Sequence, residues 1–210
     1  MPENFLEIQK EYLKKVWLRP PEELEKVLPA QRLGNGFRFR AFGEPCELYP
    51  HEIIVGGQPL VGPEGILIAT YANHVTDEPF QLHPLKSFKE LPRSMPYQGA
   101  FVANAERILQ PYVSAIQKHQ SDLTAFFSGT INTDPLSGDF SFTLYPLPRI
   151  ALYYIFYLPD EEFSASVNCL FPANPTRFMP VAGLADTAEY TARKIIRLAE
   201  NEEKPRSRLK

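Results

Sequence analysis

The chain has 210 residues, enough for one ordinary domain or two very small ones. Its 44% apolar and 22% charged residues match a globular protein and exclude a disordered one. A net charge of -3, from 22 basic and 25 acidic side chains, argues against a nucleic-acid binder, and two cysteines exclude a disulfide scaffold or a four-cysteine zinc or iron–sulfur site.

Asn4 and Glu7 resemble a capping box, and Phe5, Ile8, Tyr12 and Val16 recur at steps of three and four, which predicts an amphipathic helix ending at Arg19-Pro20-Pro21. A second short helix fits Glu22 to Leu28. Gly34-Asn35-Gly36 marks a turn, and the strict alternation of Phe37 to Phe42 predicts a half-buried strand with Arg38 and Arg40 facing water. Gly43-Glu44-Pro45 reads as the next turn, Cys46 to Tyr49 and Glu52 to Val55 as further strands, and the three as an antiparallel meander. A glycine-rich loop, Gly56 to Gly65, leads into a helix opened by Pro63 and running to about His74, apolar on nearly every side.

Thr76 to Pro96 is irregular and carries four prolines. Ala103 to Lys118 returns to helical spacing, with Pro111 kinking or dividing it, and a short helix covers Asp122 to Phe127. Phe140 to Tyr145 alternates as a strand, Pro146-Leu147-Pro148 reads as a turn, and Ile150 to Leu158 is the longest apolar run. A membrane helix needs roughly 20 such residues, so this run is read as a buried strand. Asp160-Glu161-Glu162 forms the tip of a hairpin whose return arm is Ser164 to Phe171. Leu184 to about Asn201 is the last helix, and Glu202 to Lys210 reads as a disordered charged tail. Strands and helices are segregated, with no strand–helix–strand repeat. The expected fold is therefore α+β: one domain over residues 1–201, an antiparallel sheet built from two meanders, and helices packed on one side. The N-terminus shows no targeting signal.

Three segments together resemble one known family: Ser87 to Phe101 (SFKELPRSMPYQGAF), Leu147 to Phe171 (LPRIALYYIFYLPDEEFSASVNCLF) and Phe37 to Pro50 (FRFRAFGEPCELYP). It is the bacterial family of domain of unknown function 3786, and the resemblance extends from end to end. It implies a cytoplasmic protein of mostly anaerobic bacteria and carries no activity. Some relatives stand beside cysteine-rich iron–sulfur domains, a feature that does not transfer to a chain without a cysteine cluster. Where the family pattern leads one to expect Leu-Phe-Asp, this chain has Leu170-Phe171-Pro172. In place of an acidic pair after Pro180 stand Val181-Ala182-Gly183. If those carboxylates bind a metal or ligand in relatives, this member lacks them.

Among candidate sites, His74, Asp77 and His83 gather metal-ligating side chains within ten residues, at a spacing that matches neither a metalloprotease helix nor a zinc finger. The loop before Pro63 lacks the lysine and hydroxyl of a phosphate-binding loop. Cys46 and Cys169 fall in strands and read as core residues. Asp160-Glu161-Glu162 reads as a solvated tip, Arg38 and Arg40 as an exposed strand face open to an acidic partner, and Lys204, Arg206, Arg208 and Lys210 as too few for nucleic acid. The least ordinary stretch is Ser87 to Phe101, which combines Glu90, Arg93 and Tyr97 with large apolar residues. A ligand site is expected where it meets the Leu147–Leu158 strand, with Arg149 supplying a charge.

The expected function is a cytoplasmic binding or accessory module in anaerobic metabolism. It would recognise a protein partner or a small cofactor that the sequence does not name, and neither nucleic acid nor membrane. Two alternatives stand beside it: an enzyme whose residues converge only in three dimensions, and a structural or oligomerising protein, since ten tyrosines and fifteen phenylalanines could cover a homodimer interface.

Overall fold

The computed structural model describes residues 2–133 and 138–203. It opens with helices α1 (Pro2–Val16) and α2 (Pro21–Val27). Asn4 already lies inside α1, so the expected capping box is not the helix start. Strands β1 (Gln31–Leu33), β2 (Gly36–Ala41), β3 (Glu44–Leu48), β4 (Ile53–Val55) and β5 (Gln58–Pro59) then pair in sequence order as an antiparallel sheet. In β2 the alternation places Phe37, Phe39 and Ala41 in the core and Arg38 and Arg40 outside.

Two tight hairpins shape this sheet. Gly56 and Gly57 join β4 to β5 with φ +59° and +79°, the left-handed pair that a two-residue turn requires, so half of the glycine-rich loop is turn chemistry. The β2–β3 turn sits one residue earlier than expected, on Phe42 (φ +49°) and Gly43 (φ +84°), while Pro45 lies within β3 opposite Arg40. A phenylalanine in left-handed backbone is uncommon, and here its surroundings hold it. The Phe42 ring is buried 6.2 Å from the Tyr190 ring, and its N–H donates to the Pro146 carbonyl. The turn of the first sheet is thereby plugged into the rest of the molecule.

Helix α3 (Pro63–His74) follows, with proline in its first turn and six core residues including Leu67, Ile68 and Tyr71. Arg19 closes its far end, donating to the carbonyls of Ala72, Asn73 and Val75, where a cation suits the helix dipole. After an irregular stretch come β6 (Lys86–Ser87) and a helical run built from α4 (Gln98–Phe101), a π turn (Val102–Glu106), a 3-10 segment (Arg107–Tyr112) holding Pro111, and α5 (Val113–Lys118). Proline divides the helix, as expected from its missing N–H. The run begins earlier than its apolar spacing indicates.

Helix α6 (Gln120–Phe126) and strand β7 (Thr130–Ile131) lead to β8 (Phe140–Leu147), β9 (Ile150–Tyr157) and β10 (Ser166–Phe171). These form a second antiparallel sheet of order β6-β10-β9-β8-β7, so each meander makes its own five-stranded sheet. Strand β8 does not turn at Pro146. It carries a register irregularity between Leu144 and Leu147, where a proline is tolerated, and the chain reverses at Pro148-Arg149. Helix α7 (Val181–Glu203) closes the fold against α3 and the helical run. It begins three residues earlier than expected, and Gly183 packs closely on Met179, whose Sδ would lie 2.7 Å from an added Cβ and would have to shift. Residues 204–210, most of the anticipated tail, lie outside the described residues. No helix among the described residues is long and apolar enough to cross a membrane.

Candidate functional site

The residues singled out in the sequence are placed as follows. Arg149, at the β8–β9 turn, donates from Nη1 to the carbonyls of Thr76 (3.0 Å) and Glu78 (2.9 Å), and its guanidinium lies 5.6 Å from the Phe178 ring centre. It is a clamp on the segment after α3. Glu90 closes a capping box, accepting from the Ser87 N–H (2.7 Å) and hydroxyl (2.5 Å), which holds its carboxyl below the usual range. Phe88 stacks on Phe101 with centroids 4.3 Å apart, and both rings lean on Phe171. Arg93 (φ +63°) and Tyr97 are exposed on the outside of this cover.

Ser87 pairs with Leu170, and Leu170 with Tyr153, four residues along β9 from Arg149. Two strand spacings across (about 10 Å) and four residues along (about 13 Å) therefore separate Arg149 from the start of that cover. The hydrogen bonds of Arg149 go to the segment after α3.

Asp77 forms an ion pair with Lys26 (2.6 Å), whose hydrogen bond lowers the carboxyl's pKa. His74 Nε2 meets the Thr176 carbonyl at 3.1 Å, and His83 is exposed. Among the described residues no three His, Cys, Asp or Glu side chains form a group that could hold a metal. Asp160 Oδ1 accepts the N–H groups of Glu162 and Phe163, so the Asp160–Glu162 cluster is a turn. Both cysteines are free and buried. Burial pushes the Cys46 thiol to about 12 and Cys169 well above the ordinary value.

A group of raised carboxyl and phenol pKa values lies between the start of α3 and the first half of α7. Buried Gln9 fixes the approach to α3. Its Nε2 donates to the Leu60 carbonyl (2.8 Å), its Oε1 accepts from the Gly62 N–H (3.3 Å), and Gly65 leaves no space for a Cβ beside its amide. On α7, Asp186, Glu189 and Tyr190 stand at i, i+3 and i+4, hence on one face. With Pro63, Ile66 and Leu67 of α3 they enclose a cleft of about 320 Å³. One wall is aliphatic and the other acidic.

Partial burial raises the Asp186 carboxyl, and Glu189 adds repulsion. Glu64, in the first turn of α3, is raised chiefly by burial, with Lys194 opposing. The Tyr190 phenol is raised by burial and then by Glu64, Glu189 and Asp186, which places all three carboxylates within its field. Glu189 alone is well partnered, accepting from Arg193 (2.9 and 3.0 Å) and from Asn104 Nδ2 (2.9 Å). Groups held toward neutrality in one cleft mark a candidate site. The arrangement suits a cation on an apolar stem: the stem meets Ile66 and Leu67, and the charge relieves the carboxylates' mutual repulsion. Asp186, Glu189 and Tyr190 are not among the candidate site residues of the sequence. The available signal was the Asp-x-x-Glu-Tyr spacing on one helical face.

A family model described as Domain of unknown function (DUF3786) matches residues 20–194. No curated protein and no solved structure matches the chain significantly.

Proposed function

The chain belongs to the DUF3786 family, and from its own geometry we propose that it is a binding module whose α3–α7 cleft takes up a cationic group carried on an apolar stem. The observation that carries this reading is a cleft whose α7 wall holds Asp186 and Tyr190, each with a raised pKa, opposite the aliphatic wall of Pro63, Ile66 and Leu67 on α3, with Glu64 of that helix also raised and acting on Tyr190. A small organic amine meets that chemistry, and so does a lysine side chain presented by a protein partner. The family resemblance implies a cytoplasmic protein of mostly anaerobic bacteria, and an accessory role there accords with a binding cleft.

The test is an NMR titration with hexylammonium, using hexanol as the uncharged control. Hexylammonium should bind saturably, shifting amides at residues 63–67 and 186–190. Its affinity should rise with pH as the raised carboxylates ionise, and Asp186→Asn should weaken it. Equal binding of hexanol, or an unchanged affinity in Asp186→Asn, would refute the reading.

A further inference from the structure

We propose that a second cleft, where the two sheets meet, binds a small organic oxyanion, a carboxylate or phosphate on a flat apolar body. It has a volume of about 410 Å³ and is lined by Pro29, Arg40, Ser128, Tyr145 and Pro148. That volume lies within the range of small-molecule sites. Among the described residues no carboxylate lines it. Arg40 reaches it from the outer face of β2, and its Nη2 donates to the carbonyls of Gly43 and Phe126. Those bonds fix the guanidinium at the C-terminal end of α6. Among the described residues no carboxylate pairs with Arg40, and no acceptor takes its Nε or Nη1 protons. Its neighbour Arg38 differs in this respect, being neutralised by Glu47 at 2.5 Å.

An immobilised guanidinium without a counter-ion offers planar donors that match carboxylate and phosphate oxygens. Ser128 and Tyr145 add hydroxyl groups to the same lining. Ser128 terminates α6 in left-handed backbone (φ +53°), with the Gly129 N–H returning to the Thr124 carbonyl, which puts a serine where glycine is the usual choice. The two prolines and the Tyr145 ring supply flat apolar walls for the body of the ligand. This site is separate from the acidic cleft and takes the opposite charge, so either can fail alone.

The experiment is an amide-shift titration of the full chain with benzoate and with phenyl phosphate, and with benzyl alcohol as the neutral control. At least one anion should bind saturably with shifts at Ser128 and Tyr145, more weakly as salt rises, and which anion binds identifies the group recognised. Arg40→Gln removes the charge and is two atoms too short to reach the Gly43 and Phe126 carbonyls, and it should raise the dissociation constant at least about tenfold. Arg38→Ala should leave it unchanged. Absence of saturable binding, equal binding of benzyl alcohol, or equal losses from the two arginine variants would overturn the assignment. If Arg40→Gln lowers the melting temperature, Tyr145→Phe carries the test: a loss of about threefold is expected, and unchanged affinity overturns the assignment.

Discussion

Phe42 offers a sharp test of how the first sheet is attached. Its ring is 1% exposed and lies against Tyr190, yet its φ is +49°. Truncation to alanine removes a buried aromatic and leaves a cavity, at a cost of about 3–5 kcal/mol. Alanine also keeps a Cβ in left-handed backbone, a conformation that costs roughly 1–2 kcal/mol. Glycine loses the same ring but is free of that penalty. At ordinary positions Gly is less stable than Ala by roughly 0.5–1 kcal/mol; here the order should invert, with Phe42→Gly the more stable of the two by about 1 kcal/mol. Urea unfolding of the two variants and the parent, compared at constant m-value, measures this directly. If Phe42→Ala costs less than about 1 kcal/mol, or Phe42→Gly proves the weaker variant, the plugged-turn account is wrong.

Arg149→Ala should destabilise the protein by about 1.5–3 kcal/mol through loss of two charge-assisted bonds to the Thr76 and Glu78 carbonyls; unchanged urea unfolding would show that other contacts hold that segment. Native protein at mildly alkaline pH should resist iodoacetamide at both Cys46 and Cys169 and label fully after unfolding, because burial raises both thiols. Labelling of native thiols at the rate of a free cysteine would contradict this. Asp186 has a folded pKa above its unfolded one, so its ionised form weighs against the folded state at neutral pH and ceases to do so as pH falls through the raised value. Asp186→Asn should therefore raise the melting temperature at neutral pH, by a margin worth less than about 1 kcal/mol for a group this open to solvent. The margin should shrink on acidification; one that widens would contradict the assignment.

Local signals were readable in the sequence wherever short-range physics decides the outcome. The alternation of Phe37 to Ala41 gave β2 its inward and outward faces, and Pro63 opened α3 where a missing N–H does no harm. What escaped depended on contacts distant along the chain. Phe42-Gly43 looks like the end of a strand until Pro146 and Tyr190 are brought against it. Arg149 reads as a free charge because its acceptors are backbone carbonyls more than seventy residues away, which no side-chain pattern reveals. Asp186, Glu189 and Tyr190 share a face by spacing alone, but only the packing of α3 against α7 turns that face into a cleft wall. Ser87–Phe101 was singled out for its irregularity. Phe88, Leu91 and Phe101 explain that irregularity as core packing, with Ser87 and Glu90 forming a cap.

A net charge of -3 conceals how the charge is distributed. Glu64, Asp186 and Glu189 gather around Tyr190, whereas among the described residues no carboxylate pairs with Arg40. Between them Glu44 pairs with Lys194 at 2.5 Å, and the Lys194 ammonium lies 5.5 Å from the centre of the Phe126 ring. Lys194 is thereby engaged by Glu44, as Arg193 is by Glu189, and the phenylalanine puts an apolar body beside Lys194. Arg40 is itself held by backbone carbonyls, which fix its place without cancelling its charge. Two clefts of opposite character can therefore persist close to one turn without neutralising each other, because each charge is anchored by the fold and the neighbouring cations Arg193 and Lys194 are already paired. Composition excluded a broadly basic surface, and it could not have shown this segregation, which arises where a turn of one sheet is buried against the helices beside the other.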